Sequence, residues 1–232
     1  MQQGEYSRWK LRTPMEGRFQ IIILQIAIVA VGFLPVVKLA IKQEEKELSS
    51  KEIEDILRDD YIIPDVIYKV PKHRLKVHFE EDGDIYHINY GNVLTPRQAR
   101  HQPKVQWPVE KDAEYTLLCI SPDQPDREEP ILRDWIHWQQ VNIKGCNLST
   151  GNEVNEYIGP GPSEVSGMHR YVFLVYKQDP NFAIQLNRSD KSEGMRMLTK
   201  RMEFDTDNFI KHFHLGDPWA SNYFYSKFNN YQ

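Results

Sequence analysis

Two stretches of the chain gather ionisable and hydrogen-bonding side chains among turn-formers and aromatics. The first is Ser121-Pro122-Asp123-Gln124-Pro125-Asp126-Arg127, which follows an apolar run and leads into Arg133-Asp134-Trp135-Ile136-His137-Trp138. The second is Gly159-Pro160-Gly161-Pro162, followed by Ser166-Gly167-Met168-His169-Arg170-Tyr171 and apolar residues as far as Tyr176. Pro122 and Pro125 fix φ on either side of Asp123, so its carboxylate is held on a stiff loop with little ordering entropy left to lose on binding. A strand over 169–176 sends His169, Tyr171, Phe173 and Val175 to one face and Arg170, Val172, Leu174 and Tyr176 to the other. His169 and Tyr171 then share one space, while Arg170 turns away from it to pair with Asp123 or Asp134.

Two histidines and a carboxylate could also make a hydrolytic or zinc site. The chain carries no H-E-x-x-H, no G-x-S-x-G elbow and no P-loop to support catalysis. His212 and His214 are two residues apart on an expected helix and diverge, which is no ligand spacing. The expectation is a binding protein, not an enzyme, without metal or other cofactor.

The elements that must position these groups read as short strands cut by Pro and Gly: Leu75–Phe79, Ile85–Tyr90, Tyr115–Ile120, His137–Ile143 and Tyr171–Tyr176. Runs of this length argue for an antiparallel β-sandwich rather than alternating βα units. Ser49 and Glu52 have capping-box spacing ahead of Ile53, Ile56 and Leu57, so a short amphipathic helix opens the domain. Near the other end, Thr206 is expected to cap a helix bearing Phe209, Ile210 and Phe213, stopped by Gly216 and Pro218.

At 232 residues the chain holds one domain and an appendage. Its 29 Lys and Arg against 33 Asp and Glu give a net charge of -4, which provides no basic field for nucleic acid. Cys119 reads as a small buried hydrophobe and Cys146 as a turn residue, so no disulfide framework is expected. Ile21–Val37 is almost uncharged and follows Arg8, Lys10, Arg12 and Arg18, the order of a signal anchor or a signal peptide, with a buried helix as the third reading. The division is 1–41 hydrophobic segment, 42–51 charged linker and 52–232 folded domain. An anchor would leave the domain outside the cytoplasm, membrane-bound through residues 21–37; cleavage would make it secreted, and a buried helix would leave it cytoplasmic. The sequons at Asn147 and Asn187 are compatible with an extracytoplasmic domain.

The two polar stretches resemble the paired signature regions of the phosphatidylethanolamine-binding-protein family, which includes the Raf kinase inhibitor proteins. The likeness runs from about residue 60 to about residue 225 and is most specific over Gly167–Gln178. It implies a mostly β fold, a large antiparallel sheet packed on a smaller one with a few peripheral helices, preceded here by the N-terminal hydrophobic helix. It also implies a non-enzymatic protein whose pocket accepts phosphate or phosphorylethanolamine. Carried over residue by residue, it puts Asp123, Pro125, Trp135, His137, Gly161, His169 and Tyr171 at the pocket, with Arg170 bracing the Asp123 loop from behind. The histidines, the Tyr171 hydroxyl and backbone N–H groups around Gly161 would donate to phosphate oxygens, and Asp123 would orient a histidine or accept from an ammonium.

The chain departs from the family where Ser121 stands for one of two pocket carboxylates, where Ile136 precedes His137 in place of a second histidine, and where Glu164 adds charge at the rim. Sequence also stops soon after Phe228 and Tyr231, where relatives often continue into a helix over the pocket mouth, so a short or absent lid is expected. Three functions follow from the resemblance: head-group binding, docking on a kinase or protease through the rim at Pro162–Ser166, or a structural domain with a vestigial pocket.

Overall fold

Ser49 caps the first helix, α1 (Ser50–Asp59), through the expected capping box: its hydroxyl accepts from the Glu52 amide at 3.3 Å and its own amide donates to the Glu52 carboxylate at 2.9 Å. The computed structural model describes residues 48–186, 201–202 and 204–230. The hydrophobic segment 21–37, most of the charged linker, Asn187 and the last two residues lie outside the described residues. Among the described residues no helix is long and apolar enough to cross a membrane.

Among the described residues ten strands follow α1: β1 (His73–Arg74), β2 (Lys76–Glu81), β3 (Asp84–His87), β4 (Asn92–Val93), β5 (Lys104–Gln106), β6 (Glu114–Ser121), β7 (Trp135–Lys144), β8 (Asn152–Asn155), β9 (Met168–Lys177) and β10 (Ala220–Lys227). Helix α2 (Thr206–His212) precedes β10. Asp205, not Thr206, caps α2, because its carboxylate accepts from the Asn208 amide at 2.8 Å. Gly216, at φ 68°, follows this helix as its sequence suggested.

The large sheet runs β1-β10-β9-β6-β7-β8, with β4 also on β10, and the small one runs β3-β2-β5. A fully antiparallel sandwich was expected; the large sheet is instead mixed, since β1 and β4 both lie parallel to β10. The chain passes along the free edge of β10 twice in one direction, and the β2–β3 hairpin of the small sheet is made between those two passes. Ile85–Tyr90 is likewise not one strand. Pairing stops at His87, Ile85 stays exposed, and Ile88 and Tyr90 turn into the core.

Both faces of the large sheet are buried. One packs Tyr115, Leu117, Trp138, Phe173 and Phe224 against Val77 and Phe79 of the small sheet. The other packs Leu118, Ile120, Val172, Leu174 and Tyr223 against Leu57 of α1 and Phe209 of α2. With both faces covered, β6 and β9 read as nearly continuous apolar runs, and their few polar residues are forced indoors. Cys119 is buried, Cys146 is partly buried, and both are free thiols.

Candidate functional site

Strand β9 presents His169 and Tyr171 on the small-sheet side, beside Phe173. Ser226 of β10 stands opposite His169, and Phe224 opposite Tyr171, their rings stacked at 5.0 Å. On the other flank Ser121 ends β6 opposite Trp135 of β7. Pairing goes from Cys119↔Trp138 to Ile120↔Ile136, so His137 is an extra residue in β7, a bulge. Such an insertion breaks the alternation of faces and re-aims a side chain. Ile136 stays in the core on the helix side, while His137 swings to the small-sheet side, its ring 4.9 Å from that of Tyr171 and 6.3 Å from that of Trp135.

Seven side-chain atoms in this neighbourhood are buried without a hydrogen-bond partner: Ser121 Oγ, Trp135 Nε1, His137 Nε2, both ring nitrogens of His169, Tyr171 Oη and Ser226 Oγ. Backbone groups of Ser166 and Gly161 act on His169 and Tyr171, at geometries short of a full hydrogen bond. Each unpaired buried polar group costs on the order of 1–3 kcal/mol. His137 Nδ1 is satisfied, lying 2.8 Å from the Ile158 carbonyl oxygen. Burial, only partly opposed by that carbonyl and helped by the charge of neighbouring Arg201 and by His169, pushes the His137 pKa down to about 4. Burial lowers His169 as well, against the pull of Asp123. The Tyr171 hydroxyl is pushed well above its ordinary range, again by burial.

Gly161 is exposed, and a Cβ there would meet nothing within 4 Å, so it borders open space. Pro125 is exposed on the Asp123 loop. Asp123 itself is committed elsewhere. Its carboxylate accepts from the Arg170 amide at 2.7 Å, from Nε at 3.0 Å and from Nη2 at 2.5 Å. The same guanidinium donates to the Tyr61 carbonyl and to Asp65, each at 2.7 Å. Of the two expected partners of Arg170, Asp123 is therefore the one found, and Asp134 sits beside Arg133 instead.

The family model for phosphatidylethanolamine-binding protein matches residues 76–209, more than half of the chain. The chain belongs to that family. It is 31% identical over 86% of its length to the Drosophila melanogaster protein named "Putative odorant-binding protein A5", covering 90% of that protein. Toxocara canis "26 kDa secreted antigen" is 32% identical over 72% of this chain and 61% of its own. The carboxypeptidase Y inhibitor, solved in complex with its cognate proteinase, shares the fold at a TM-score of 0.61, with 24% identity over 77% of this chain and 96% of the inhibitor.

Within this phosphatidylethanolamine-binding-protein fold, four of the seven carried-over pocket residues, Trp135, His137, His169 and Tyr171, meet on one face, with Pro125 and Gly161 on the exposed loops and Asp123 in the brace behind. Three further participants escaped the sequence reading. Ser226 comes in through the β10–β9 register, which sets it opposite a residue 57 positions earlier and has no local signal. Asp65 joins Asp123 on Arg170. Arg201 is wholly buried and donates to the carbonyls of Ile136, His137 and Glu156 at 2.8–3.2 Å, pinning the bulge. An open cleft of about 390 Å³, lined by Asp65, Tyr68, Arg133, Asp134 and Thr206 among others, lies on the helix side of the sheet; it holds none of those seven atoms, although Asp134 Oδ1 and Thr206 Oγ1 on its lining residues are also buried without a partner.

Proposed function

We propose that this chain is a non-enzymatic binding protein that holds a phosphate-bearing group, a phospholipid head group or a small free anion, among Ser121, His137, His169, Tyr171 and Ser226. The observation that carries this reading is the set of seven partnerless buried polar atoms on one face. A fold tolerates such a cost where a ligand supplies the hydrogen bonds. Family membership favours a phosphate-type ligand. The segment 21–37 and the name of the Toxocara relative support a membrane-anchored or secreted location. Asn147 is exposed, as a glycan acceptor has to be.

The test is a titration of the full chain with phosphate and with phosphorylethanolamine, following the histidine ring signals by NMR. Saturable shifts confined to two of the eight histidines, one signal disappearing in His137→Gln and the other in His169→Ala, are the expected result. Unmoved rings at millimolar ligand would refute it.

A second reading rests on the rim. Val165, 94% exposed, lies on the loop between Gly161 and His169, and Ile131, 67% exposed, lies on the loop between Asp123 and Trp135. Apolar tips on both loops suit docking on a protein of the kinase or proteinase class. Val165→Asp would abolish that docking and leave anion binding intact.

A further inference from the structure

The hydrogen bond at the back of His137 limits what its front can offer. A carbonyl oxygen only accepts, so the 2.8 Å contact with Ile158 places a proton on Nδ1. In the neutral ring Nε2 then carries a lone pair, and Nε2 is the atom without a partner. A ligand meeting it must bring a hydrogen, or the ring must take one up. The surroundings oppose uptake. Arg201 lies against the His137 backbone and its charge acts on the ring, His169 acts from β9, and the rings of Tyr171 and Trp135 lie beside it. No carboxylate is resolved as acting on His137 among the described residues: Asp123 and Asp126 act on His169, and Glu153 and Glu156 on Arg201.

Charge compensation at the front is also sparse. The guanidinium of Arg170 donates to Asp123, Asp65 and the Tyr61 carbonyl, and both terminal nitrogens of Arg201 go to backbone carbonyls. What remains is a set of dipoles: the hydroxyls of Ser121, Tyr171 and Ser226, the Trp135 N–H and one N–H of His169. Dipoles without a counter-ion hold a low charge better than a high one.

Resting on the binding function above, we propose that the site selects a phosphate that carries its own proton, which it donates to His137 Nε2, over an aprotic anion of similar size such as sulfate. Phosphate at neutral pH brings a P–OH to the lone pair. Sulfate has no proton to give and enters only as His137 is protonated from solvent, so its binding is linked to uptake of one proton and its affinity falls about tenfold for each pH unit above the ring's pKa.

The experiment is calorimetric titration of the full chain with sodium phosphate and with sodium sulfate at pH 5.5, 7.0 and 8.0 and constant ionic strength. Phosphate is expected to bind at least ~10-fold more tightly than sulfate at pH 7.0, and the gap should widen at pH 8.0. In His137→Gln, whose amide can turn either a donor or an acceptor forward, the preference should shrink to within about twofold while the melting temperature reports an intact fold. Equal binding of the two anions by the unaltered protein at pH 7.0 and 8.0 overturns this selection rule and leaves anion binding standing. Binding of neither overturns both.

Discussion

His169 and Arg170 follow one another on β9 and are both almost fully buried, yet their surroundings are opposite. The histidine faces the side of the sheet where hydroxyls and ring nitrogens lack partners. Behind it, the arginine donates to two carboxylates and a backbone carbonyl, tying the 121–127 loop and residues 61–65 to the sheet. One strand thus divides its work by residue parity. The saturated side holds the loop in place, and the unsaturated side keeps its hydrogen-bonding capacity for something else. Substitutions on the two sides should therefore differ in what they damage.

The sharpest contrast comes from Arg170→Met. It strands the Asp123 carboxylate, itself 0% exposed, without its counter-charge, and should lower stability by about 3–5 kcal/mol. For a domain of this size that is a fall of roughly 10 °C in melting temperature. A loss under about 1 kcal/mol would mean the brace is not structural.

Acid should erode the pocket side first. The His137 pKa is about 4 in the folded protein, below the 6.5 of a free ring, so the unfolded chain binds the proton more readily. Stability from this group is complete above pH 6.5 and declines as pH falls toward 4, by up to about 3 kcal/mol. Asp65 shifts in the same direction for a different reason: burial would raise it, but hydrogen bonds from Arg133 and Arg170 hold it below the ordinary 3.8. Its contribution is present above 3.8 and is lost only in stronger acid. Urea unfolding from pH 7 to 3 should show two steps, and His137→Gln should shrink the upper one to the share that His169, whose pKa burial also lowers, contributes.

Asp65→Asn keeps the shape of the brace but removes a charge from a 30% exposed group. A loss of about 1–2 kcal/mol is expected by urea unfolding, with anion affinity little changed.

The smallest stability effect belongs to Ser226→Ala. Removing a hydroxyl without a partner removes its desolvation cost, so unfolding free energy should rise by about 1 kcal/mol, while phosphate affinity drops about 10-fold or more. If stability falls and affinity does not, the division between the two sides is wrong.

Much of this division could be read in the chain. Alternation along 169–176 placed Tyr171 and Arg170 on opposite faces, and the α1 capping box was visible in Ser49 and Glu52. The β7 bulge was not, because one extra residue alters no composition or period, and it alone lets His137 and Trp138, neighbours in sequence, face the same side of the sheet. Asp65 was equally hidden: an aspartate after a proline looks like any turn acid until Arg170 arrives from 105 residues away. The parallel edge strands β1 and β4 are two residues each, too short to leave a pattern.

The recognisable family segment ends at Phe209 and begins at Lys76. Neither boundary would serve for cutting the gene. A fragment trimmed to 76–209 discards β10, and with it the strand that pairs with eight residues of β9. It also discards Tyr61 and Asp65, leaving Arg170 half unpartnered. Anyone shortening this protein for expression should keep everything from α1 through β10, since the portion that evolution marks most clearly is smaller than the portion that physics requires.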